Sequence, residues 1–397
     1  MTTETGKKVL ALTGNEAYAY AMKQINPDVV AAYPITPATE IVQIFSKYVA
    51  DGEVDTEFVP VESEHSAMSA CVGASAAGAR VMTATASQGL ALMHEVLYVA
   101  SALRLPIVLA EVNRALSAPI NIHCDHSDTM GSRDAGWIQI YSENADEAYQ
   151  SLFIALKIAE RANIPAMVTM DGFIVSHGME PVEILPDDKI REFLGERKPL
   201  YTVLDLEHPI TIGPLDLTDY FFEHKRAQIE AIKEAKKVIP EVHREYNEFF
   251  DKNMPDFFEP YRMEDAEVAI ISLGSSSGTV REAVDVLREK GEKVGALRMR
   301  IFRPFPYEKL REYAGNLKVL GVMDRADSLA TIGGPVFNEV RSWLYDLEKR
   351  PFVMNFVYGL GGRDFFVEDA LYIFERLIKA AKGERPSELI EYVGVRE

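Results

Sequence analysis

Apolar runs of strand length alternate with segments of helical periodicity from residue 7 to about residue 180. The predicted strands cover residues 28–33, 56–61, 80–86, 106–112 and 165–170. The predicted helices cover residues 13–25, 37–52, 64–79, 89–104 and a segment near 144–162, with apolar positions recurring at helical spacing. Strands that are apolar throughout and alternate with helices are typical of a parallel sheet covered on both faces. We therefore expect a doubly wound parallel-sheet α/β domain.

The pattern changes beyond residue 180 and then resumes. Residues 181–217 are proline-rich and irregular, and residues 218–251 form a charged amphipathic segment whose helix Pro240 should break or kink. A second α/β pattern then places strands at 267–274, 293–302, 318–324 and 351–358, and helices at 277–291 and near 336–348. The sequence predicts a first domain of residues 1–255, with a helical connector from about 181, and a second domain of residues 256–397.

Charge and cysteine content exclude several classes of protein. The formal net charge of −19 argues against nucleic acid and anionic membranes as partners, and against docking of a very acidic protein on this chain. Two cysteines without a CxxC motif cannot hold an iron–sulfur cluster or a structural zinc ion by themselves. The amino-terminal apolar run is too short for a signal peptide, and charged residues and Pro106 interrupt the most apolar region, residues 90–112. We expect a cytoplasmic protein.

Unusual polar residues follow the predicted strands of the first domain. Because the carboxyl ends of parallel strands meet at one edge of a sheet, these residues should collect there, where open α/β sheets bind ligands. They are Thr36, the segment 62–65 that contains Glu64, the turn Ser87-Gln88-Gly89, Asn113 with Arg114, and Asp171 with Gly172. One sheet edge would thus carry a hydroxyl, a carboxylate, a guanidinium and glycine turns.

Each of these residues also has a purely structural interpretation. Thr36 with Pro37 has the pattern of a helix N-cap followed by proline at the first helical position. Glu64, after a capping Ser63, favours the start of a helix, and Arg114 has the position of a surface salt-bridge partner. The loop of residues 115–137 is harder to explain structurally, because loops of this length inside compact domains usually have a function.

Two further motifs each allow more than one interpretation. "HCDHSD", residues 123–128, suggests metal ligands, but adjacent loop residues rarely converge on one ion and no second cluster accompanies them, so we predict no metal site. "GSSSGT", residues 274–279, lies between a predicted strand and helix and could hold a phosphate, although it matches neither GxGxxG nor a Walker A loop. A tight turn between strand and helix explains it better.

Several long blocks, taken together, resemble one known family. They are "AAYPITPATEI" (31–41), "VESEHSAMSACVGASAAGARVMTATASQGLALMHEVLY" (61–98), "LPIVLAEVNRALSAPINI" (105–122), "DGFIVSHGMEPVEI" (171–184), "GEKVGALRMRIFRPFP" (291–306) and "YGLGGRD" (358–364). These blocks, in this order over nearly the whole chain, resemble the α subunit of pyruvate:ferredoxin oxidoreductase and its 2-oxoacid relatives.

The resemblance implies a fold and a set of partners. The first domain would be the pyrimidine-binding domain of a thiamine diphosphate enzyme, and the second a transketolase C-terminal-like domain. A β subunit would supply the pyrophosphate–Mg²⁺ site and one [4Fe-4S] cluster, and a ferredoxin-like δ subunit two more, in a dimer of heterotetramers that includes a γ subunit. The chain itself lacks both the Gly-Asp-Gly…Asn pyrophosphate motif and cluster cysteines, in agreement with this division.

The resemblance also assigns roles to residues. Glu64 would activate the pyrimidine ring of thiamine diphosphate, Arg114 would bind the substrate carboxylate, and Thr36 would contact the 2-oxoacid. The turn Ser87, Gln88 and Gly89 would lie near the cofactor, and Asp125 and His126 near the pocket.

The expected reaction is oxidative decarboxylation of pyruvate, with coenzyme A taking the acyl group and ferredoxin docking on other chains. Complexes for 2-oxoisovalerate, 2-oxoglutarate, oxalate or phenylglyoxylate, some with a nicotinamide acceptor, share this frame. The sequence also leaves open a purely structural scaffold subunit and a nucleotide-binding enzyme that uses "GSSSGT".

Overall fold

The computed structural model describes residues 8–396, so residues 1–7 of the amino-terminal segment considered as a signal peptide lie outside the described residues. The strands are β1 (Lys8–Thr13), β2 (Val29–Ala32), β3 (Glu57–Pro60), β4 (Val81–Thr85), β5 (Val108–Asn113), β6 (Ile138–Tyr141), β7 (Ala166–Asp171), β8 (Met179–Ile184), β9 (Phe258–Tyr261), β10 (Val268–Ser272), β11 (Val294–Met299), β12 (Ile301–Arg303), β13 (Val319–Asp324), β14 (Phe352–Tyr358) and β15 (Ile390–Val393).

The helices alternate with these strands in both halves of the chain. They are α1 (Gly14–Ile25), α2 (Thr39–Ala50), α3 (Glu64–Ala76), α4 (Ser87–Leu92), α5 (His94–Ala102), α6 (Ser127–Gly131), α7 (Ala145–Ala162), α8 (Asp187–Leu194), α9 (Phe221–Phe250), α10 (Ser276–Glu289), α11 (Tyr307–Ala314), α12 (Pro335–Leu344) and α13 (Val367–Ala381). Among residues 8–396, no helix is long and apolar enough to cross a bilayer.

The first sheet has seven strands in the order β12-β6-β7-β5-β4-β2-β3. All neighbouring pairs are parallel except β12 with β6, so the predicted doubly wound parallel sheet is confirmed. Three strands of the first half were not predicted. Strand β6 is only four residues long, and β8 pairs antiparallel with β1 in a separate two-stranded sheet that tolerates Pro181 because β8 has no second neighbour.

The second sheet has six strands in the order β15-β14-β13-β10-β11-β9, all parallel except the edge strand β9. The prediction of one strand over residues 293–302 was wrong. Strand β11 belongs to the second sheet, whereas β12 joins the first, and Arg300 lies between them. The predicted domain boundary near residue 255 stays a prediction. Strand β12 follows this boundary in sequence but belongs to the sheet of the first domain.

A buried network of charges surrounds this crossing. Arg300 is fully buried and donates hydrogen bonds to Glu147, to Ser151 Oγ at 2.7 Å and to His243 Nε2 at 2.6 Å. Arg298 Nη1 donates to the second carboxylate oxygen of Glu147 at 2.6 Å. Because Glu147 lies on α7 and His243 on α9, the network joins both sheets to the connector helix.

The connector helix α9 is continuous from residue 221 to residue 250, so the helix does not break at Pro240. The alternative expectation, a kink at Pro240, stays a prediction. One face of α9, which includes Ala235, Ile239 and Tyr246, is buried, and the helix packs on α7. Packing along 30 residues outweighs the local cost of one proline, which is on the order of 3 kcal/mol.

We predict that this chain loses stability as the pH falls below about 6.5. Burial and the neighbouring Arg300 lower the pKa of His243 to about 3. The unfolded chain therefore takes up a proton that the folded chain excludes, and stability present above the unfolded pKa is lost as the pH falls. His243→Gln keeps an acceptor for Arg300 but does not titrate, so it should flatten the pH dependence by up to about 1.4 kcal/mol per pH unit.

The measurement is the denaturant midpoint of both proteins between pH 7 and pH 4. His208→Gln is the matched control, because the side chain of His208 is 81% exposed. Equal pH slopes for wild type and His243→Gln would contradict the prediction.

Candidate active site

The carboxyl ends of four parallel strands place the predicted site residues along one edge of the first sheet. Thr36 follows β2, Glu64 follows β3, the turn Ser87–Gly89 follows β4, and Arg114 follows β5. These strands are adjacent in the order β5-β4-β2-β3. The common edge expected from the sequence is therefore present, whereas the roles of the residues stay predictions.

Thr36 is not a helix cap. Helix α2 begins at Thr39 after Ala38, which makes no side-chain capping bond, so the N-cap interpretation was wrong. The Thr36–Pro37 peptide is cis, and Asn15 Nδ2 donates to the Pro37 carbonyl at 2.8 Å. The hydrogen bond from Asn15 helps to hold the exposed Thr36 at the sheet edge.

Arg114 is buried at this edge and is not a surface salt-bridge partner. Its side chain donates from Nε to the Asn121 carbonyl and from Nη1 to the Thr36 carbonyl, both at 2.9 Å. Its Nη2 has no hydrogen-bond partner among the described residues. Burial lowers the pKa of Arg114, opposed by Asp128, but an arginine so placed stays charged. A guanidinium held by carbonyls, with donors left over, can bind a carboxylate.

Glu64 is 6% exposed, and its carboxylate makes no hydrogen bond within residues 8–396. The expected cap is confirmed, because Ser63 Oγ accepts from the Ser66 backbone N–H at 3.3 Å. A Cβ atom at Gly89 would lie 2.8 Å from Glu64 Oε1 and 2.2 Å from Thr85 Oγ1, which is buried and without a partner. Buried polar groups normally have partners, so this bare carboxylate and hydroxyl beside a glycine are suited to a polar ligand.

The turn Ser87–Gly89 is fastened to the loop that follows β5. Ser87 has a positive φ of 47°, and its hydroxyl donates to the Ala115 carbonyl at 2.7 Å. Gln88 Nε2 donates to Ser117 Oγ at 2.7 Å. The predicted cofactor turn and the segment that carries Arg114 therefore form one unit.

Asp128 is a residue of this site that sequence reasoning missed. Its carboxylate accepts hydrogen bonds from the backbone N–H groups of Ser87 at 3.2 Å and Arg114 at 2.8 Å. Asn113 Nδ2 and the Thr129 N–H donate to the other oxygen at 2.9 Å and 2.7 Å. Burial nevertheless raises the pKa of Asp128 to about 6, against the effect of these donors.

Glu111 was missed as well. It is fully buried on β5, and neither of its carboxylate oxygens meets a hydrogen-bond donor. Burial and the neighbouring Asp128 raise its pKa well above the usual value. The signal in the sequence was a glutamate within the otherwise apolar run "PIVLAEV".

Asp171 and His126 face the second domain. His126 Nε2 lies 2.7 Å from Asp171 Oδ1, and Arg325 Nη1 donates to Asp171 Oδ2 at 2.9 Å. Ser275 donates its backbone N–H to the same oxygen at 3.0 Å. The "GSSSGT" turn thus binds the carboxylate of Asp171, which takes the place that a phosphate would need.

A metal site would involve a different set of residues from the one suggested by "HCDHSD". Cys124, His126 and Asp171 have ligand atoms within 4.8 Å of one another. Burial and the nearby Asp171 raise the pKa of the Cys124 thiol well above its usual value, whereas a metal ligand must be the thiolate. Arg325 already neutralises Asp171, and Asp125 instead accepts from the Gly361 N–H at 3.2 Å.

The fold and this edge define an α/β protein with a candidate ligand site at the carboxyl ends of its parallel strands. Residues 20–244 match the family model "Pyruvate flavodoxin/ferredoxin oxidoreductase, thiamine diP-bdg", and residues 266–370 match "Pyruvate:ferredoxin oxidoreductase core domain II". The chain therefore belongs to the pyruvate:ferredoxin oxidoreductase family, as its sequence blocks indicated.

Its relatives include two kinds of subunit. Pyruvate synthase subunit PorA of Thermotoga maritima is 55% identical over 390 residues, covering 98% of both chains. Ketoisovalerate oxidoreductase subunit VorA of Pyrococcus abyssi is 45% identical over 386 residues, covering 97% of both. Among solved structures, 2-oxoglutarate:ferredoxin oxidoreductase from Magnetococcus marinus has a TM-score of 0.71 at 20% identity, over 94% of this chain and 66% of that one, which supports the fold.

We predict that Gly89→Ala destabilises the chain by about 1–3 kcal/mol, because its Cβ would overlap Thr85 Oγ1 and the carboxylate of Glu64. The measurement is the free energy of unfolding in denaturant. Gly131→Ala is the control, since a Cβ there meets no atom within 4 Å. Equal stability of Gly89→Ala and wild type would show that the turn does not close on Glu64.

Proposed function

We propose that this chain is the α subunit of a thiamine-diphosphate-dependent 2-oxoacid:ferredoxin oxidoreductase that acts on pyruvate. The overall reaction converts pyruvate and coenzyme A into acetyl-CoA and carbon dioxide and passes two electrons, one at a time, towards ferredoxin. The observation that carries the proposal is the bare buried carboxylate of Glu64, on the same sheet edge as the guanidinium of Arg114.

Glu64 is proposed to hold the pyrimidine ring of thiamine diphosphate. When bound, the cofactor supplies a nucleophilic carbon that attacks the 2-oxo group and accepts the electron pair released by decarboxylation. Glu64 has the properties that this binding requires. The Glu64 side chain is largely buried, and its carboxylate is free to accept a hydrogen bond from a ring nitrogen. Gly89 leaves room beside it, and Thr85 offers an unused hydroxyl.

Arg114 and Thr36 are proposed to bind the 2-oxoacid. The Nη2 donors of Arg114 are unused by the described residues, and its Nε and Nη1 contacts fix the plane of the guanidinium. A fixed guanidinium can bind a carboxylate through two parallel hydrogen bonds. Thr36 adjoins Arg114 through its own carbonyl, so its exposed hydroxyl group would lie near an acid held by Arg114. Ser87, Gln88 and Gly89 would line the cofactor side.

The remaining parts of the active site are proposed to come from partner subunits. Cys71 and Cys124 are both buried, and neither belongs to a set of cysteines that could hold a cluster. A β subunit would bring the pyrophosphate and Mg²⁺ site with one [4Fe-4S] cluster, and a δ subunit two further clusters. Together with a γ subunit they would form a dimer of heterotetramers in the cytoplasm, with ferredoxin docking on the other chains.

A second substrate has specific support. The VorA relatives, named for ketoisovalerate, are 44–45% identical over 96–97% of this chain, close to the 45–46% of the archaeal PorA relatives. The 55% identity to Thermotoga maritima PorA favours pyruvate. 2-Oxoisovalerate is therefore the second candidate substrate for the same site.

The test is turnover of the purified complex with coenzyme A, ferredoxin and each of pyruvate, 2-oxoisovalerate, 2-oxoglutarate and phenylglyoxylate. We expect kcat/KM to be at least about tenfold higher for pyruvate than for 2-oxoisovalerate, which matches the usual discrimination against extra methyl groups. Arg114→Lys serves as the internal control and should raise KM for every accepted acid, because an ammonium group cannot donate two parallel hydrogen bonds to a carboxylate. A higher kcat/KM for 2-oxoisovalerate would show that this acid, and not pyruvate, is the substrate. Absence of turnover with every acid would refute the proposed function.

A further inference from the structure

A glycine-rich turn of the second domain packs on the loop that holds Arg114. The turn is Leu360–Gly362, within the "YGLGGRD" block, and directly follows β14. The Gly361 carbonyl accepts from Asn121 Nδ2 at 2.9 Å, and the Gly362 N–H donates to the Cys124 carbonyl. The Gly361 N–H donates to Asp125 Oδ2 at 3.2 Å. Three hydrogen bonds therefore fasten the turn to residues 121–125 of the first domain.

Asn121 connects this turn to the guanidinium. Its side chain binds the Gly361 carbonyl, and its Oδ1 accepts from the His123 N–H at 2.8 Å. Its own backbone carbonyl accepts from Arg114 Nε at 2.9 Å. Asn121 is thus hydrogen-bonded to the second domain through its side chain and to Arg114 through its backbone carbonyl.

Only glycine fits at position 361. Its φ is 60°, in the left-handed region, and a Cβ atom there would lie 2.3 Å from Asn121 Nδ2. A side chain would therefore push aside the amide of Asn121, the residue whose backbone carbonyl orients Arg114. Within the described residues, Gly361 makes no hydrogen bond to Thr36 or to the guanidinium itself.

We propose that the glycine turn of the second domain is a positioning element that sets the orientation of Arg114, through Asn121, for the carboxylate of the 2-oxoacid. This inference rests on the proposed function. It gives the second domain a part in substrate binding, although Thr36, Glu64 and Arg114 all belong to the first domain.

A purely structural contact between the domains would behave differently. The domains are also joined by Asp171 with Arg325, and by the network around Arg300. Loss of one hydrogen bond among these contacts would lower stability without a specific effect on the substrate. Misorientation of Arg114 would weaken binding of the carboxylate, and so raise KM for the oxoacid while kcat changes little.

The experiment compares Gly361→Ala with wild type in the assembled complex, by steady-state kinetics with pyruvate. We expect KM to rise about tenfold and kcat to stay within about twofold, as for the loss of a binding interaction made equally in ground and transition states. Gly291→Ala is the matched control, because Gly291 lies in the same domain with a positive φ of 85° and open space around its Cβ position. It should leave KM unchanged.

Asn121→Ala completes a double-mutant cycle. It should raise KM by itself, and Gly361→Ala should add little in its presence, because both act through one contact. Additive effects, an unchanged KM in Gly361→Ala, or an equal rise in Gly291→Ala would overturn the inference. A wild-type complex that turns over no oxoacid would instead overturn the proposed function, and this inference with it. The two failures are therefore distinguishable.

Discussion

The ion pair between Arg300 and Glu147 is the contact on which the arrangement of the two domains depends. The chain leaves the second sheet at Met299 and enters the first at Ile301, and the guanidinium between them is fully buried. Arg298 and Arg300 outweigh the effect of burial and lower the pKa of Glu147 to about 2, so the pair is charged at neutral pH. Removing one partner would leave a buried charge uncompensated, at a cost of about 3–5 kcal/mol. The same fixed arrangement brings the glycine turn of the second domain against the loop of Arg114.

Three acidic side chains near the sheet edge differ because their surroundings differ. Asp128 accepts four N–H groups and holds the backbones of Ser87 and Arg114. Glu111 has no hydrogen-bond donor, and burial together with Asp128 raises its pKa. Glu64 is buried at the sheet edge beside Gly89, and its carboxylate makes no hydrogen bond within residues 8–396. An acceptor left free in this way is what a bound polar ring requires, so burial and hydrogen bonding separate the proposed functional carboxylate from the structural ones.

Local pattern predicted the first sheet, the common edge and the Ser63 cap, because each depends on residues close in sequence. Local pattern gave wrong predictions where contacts between residues distant in sequence determine the structure. The split of residues 293–302 depends on Arg300 meeting Glu147, and the continuity of α9 through Pro240 depends on packing against α7. Thr36 fits an N-cap pattern, yet its carbonyl binds Arg114, 78 residues away. Asp128 and Asn121 escaped notice because their partners are set by the folded loop.

The central claim is that Glu64 activates the cofactor bound between this chain and its partner. The most direct measurement is the rate of deuterium exchange at C2 of thiamine diphosphate bound to the assembled complex, for wild type and Glu64→Gln. Glu62→Gln is the control, because Glu62 is an exposed carboxylate two residues away. The account predicts that Glu64→Gln slows exchange by at least about 10²-fold, the range of a lost acid–base group, whereas Glu62→Gln does not. Near-wild-type exchange in Glu64→Gln would contradict it.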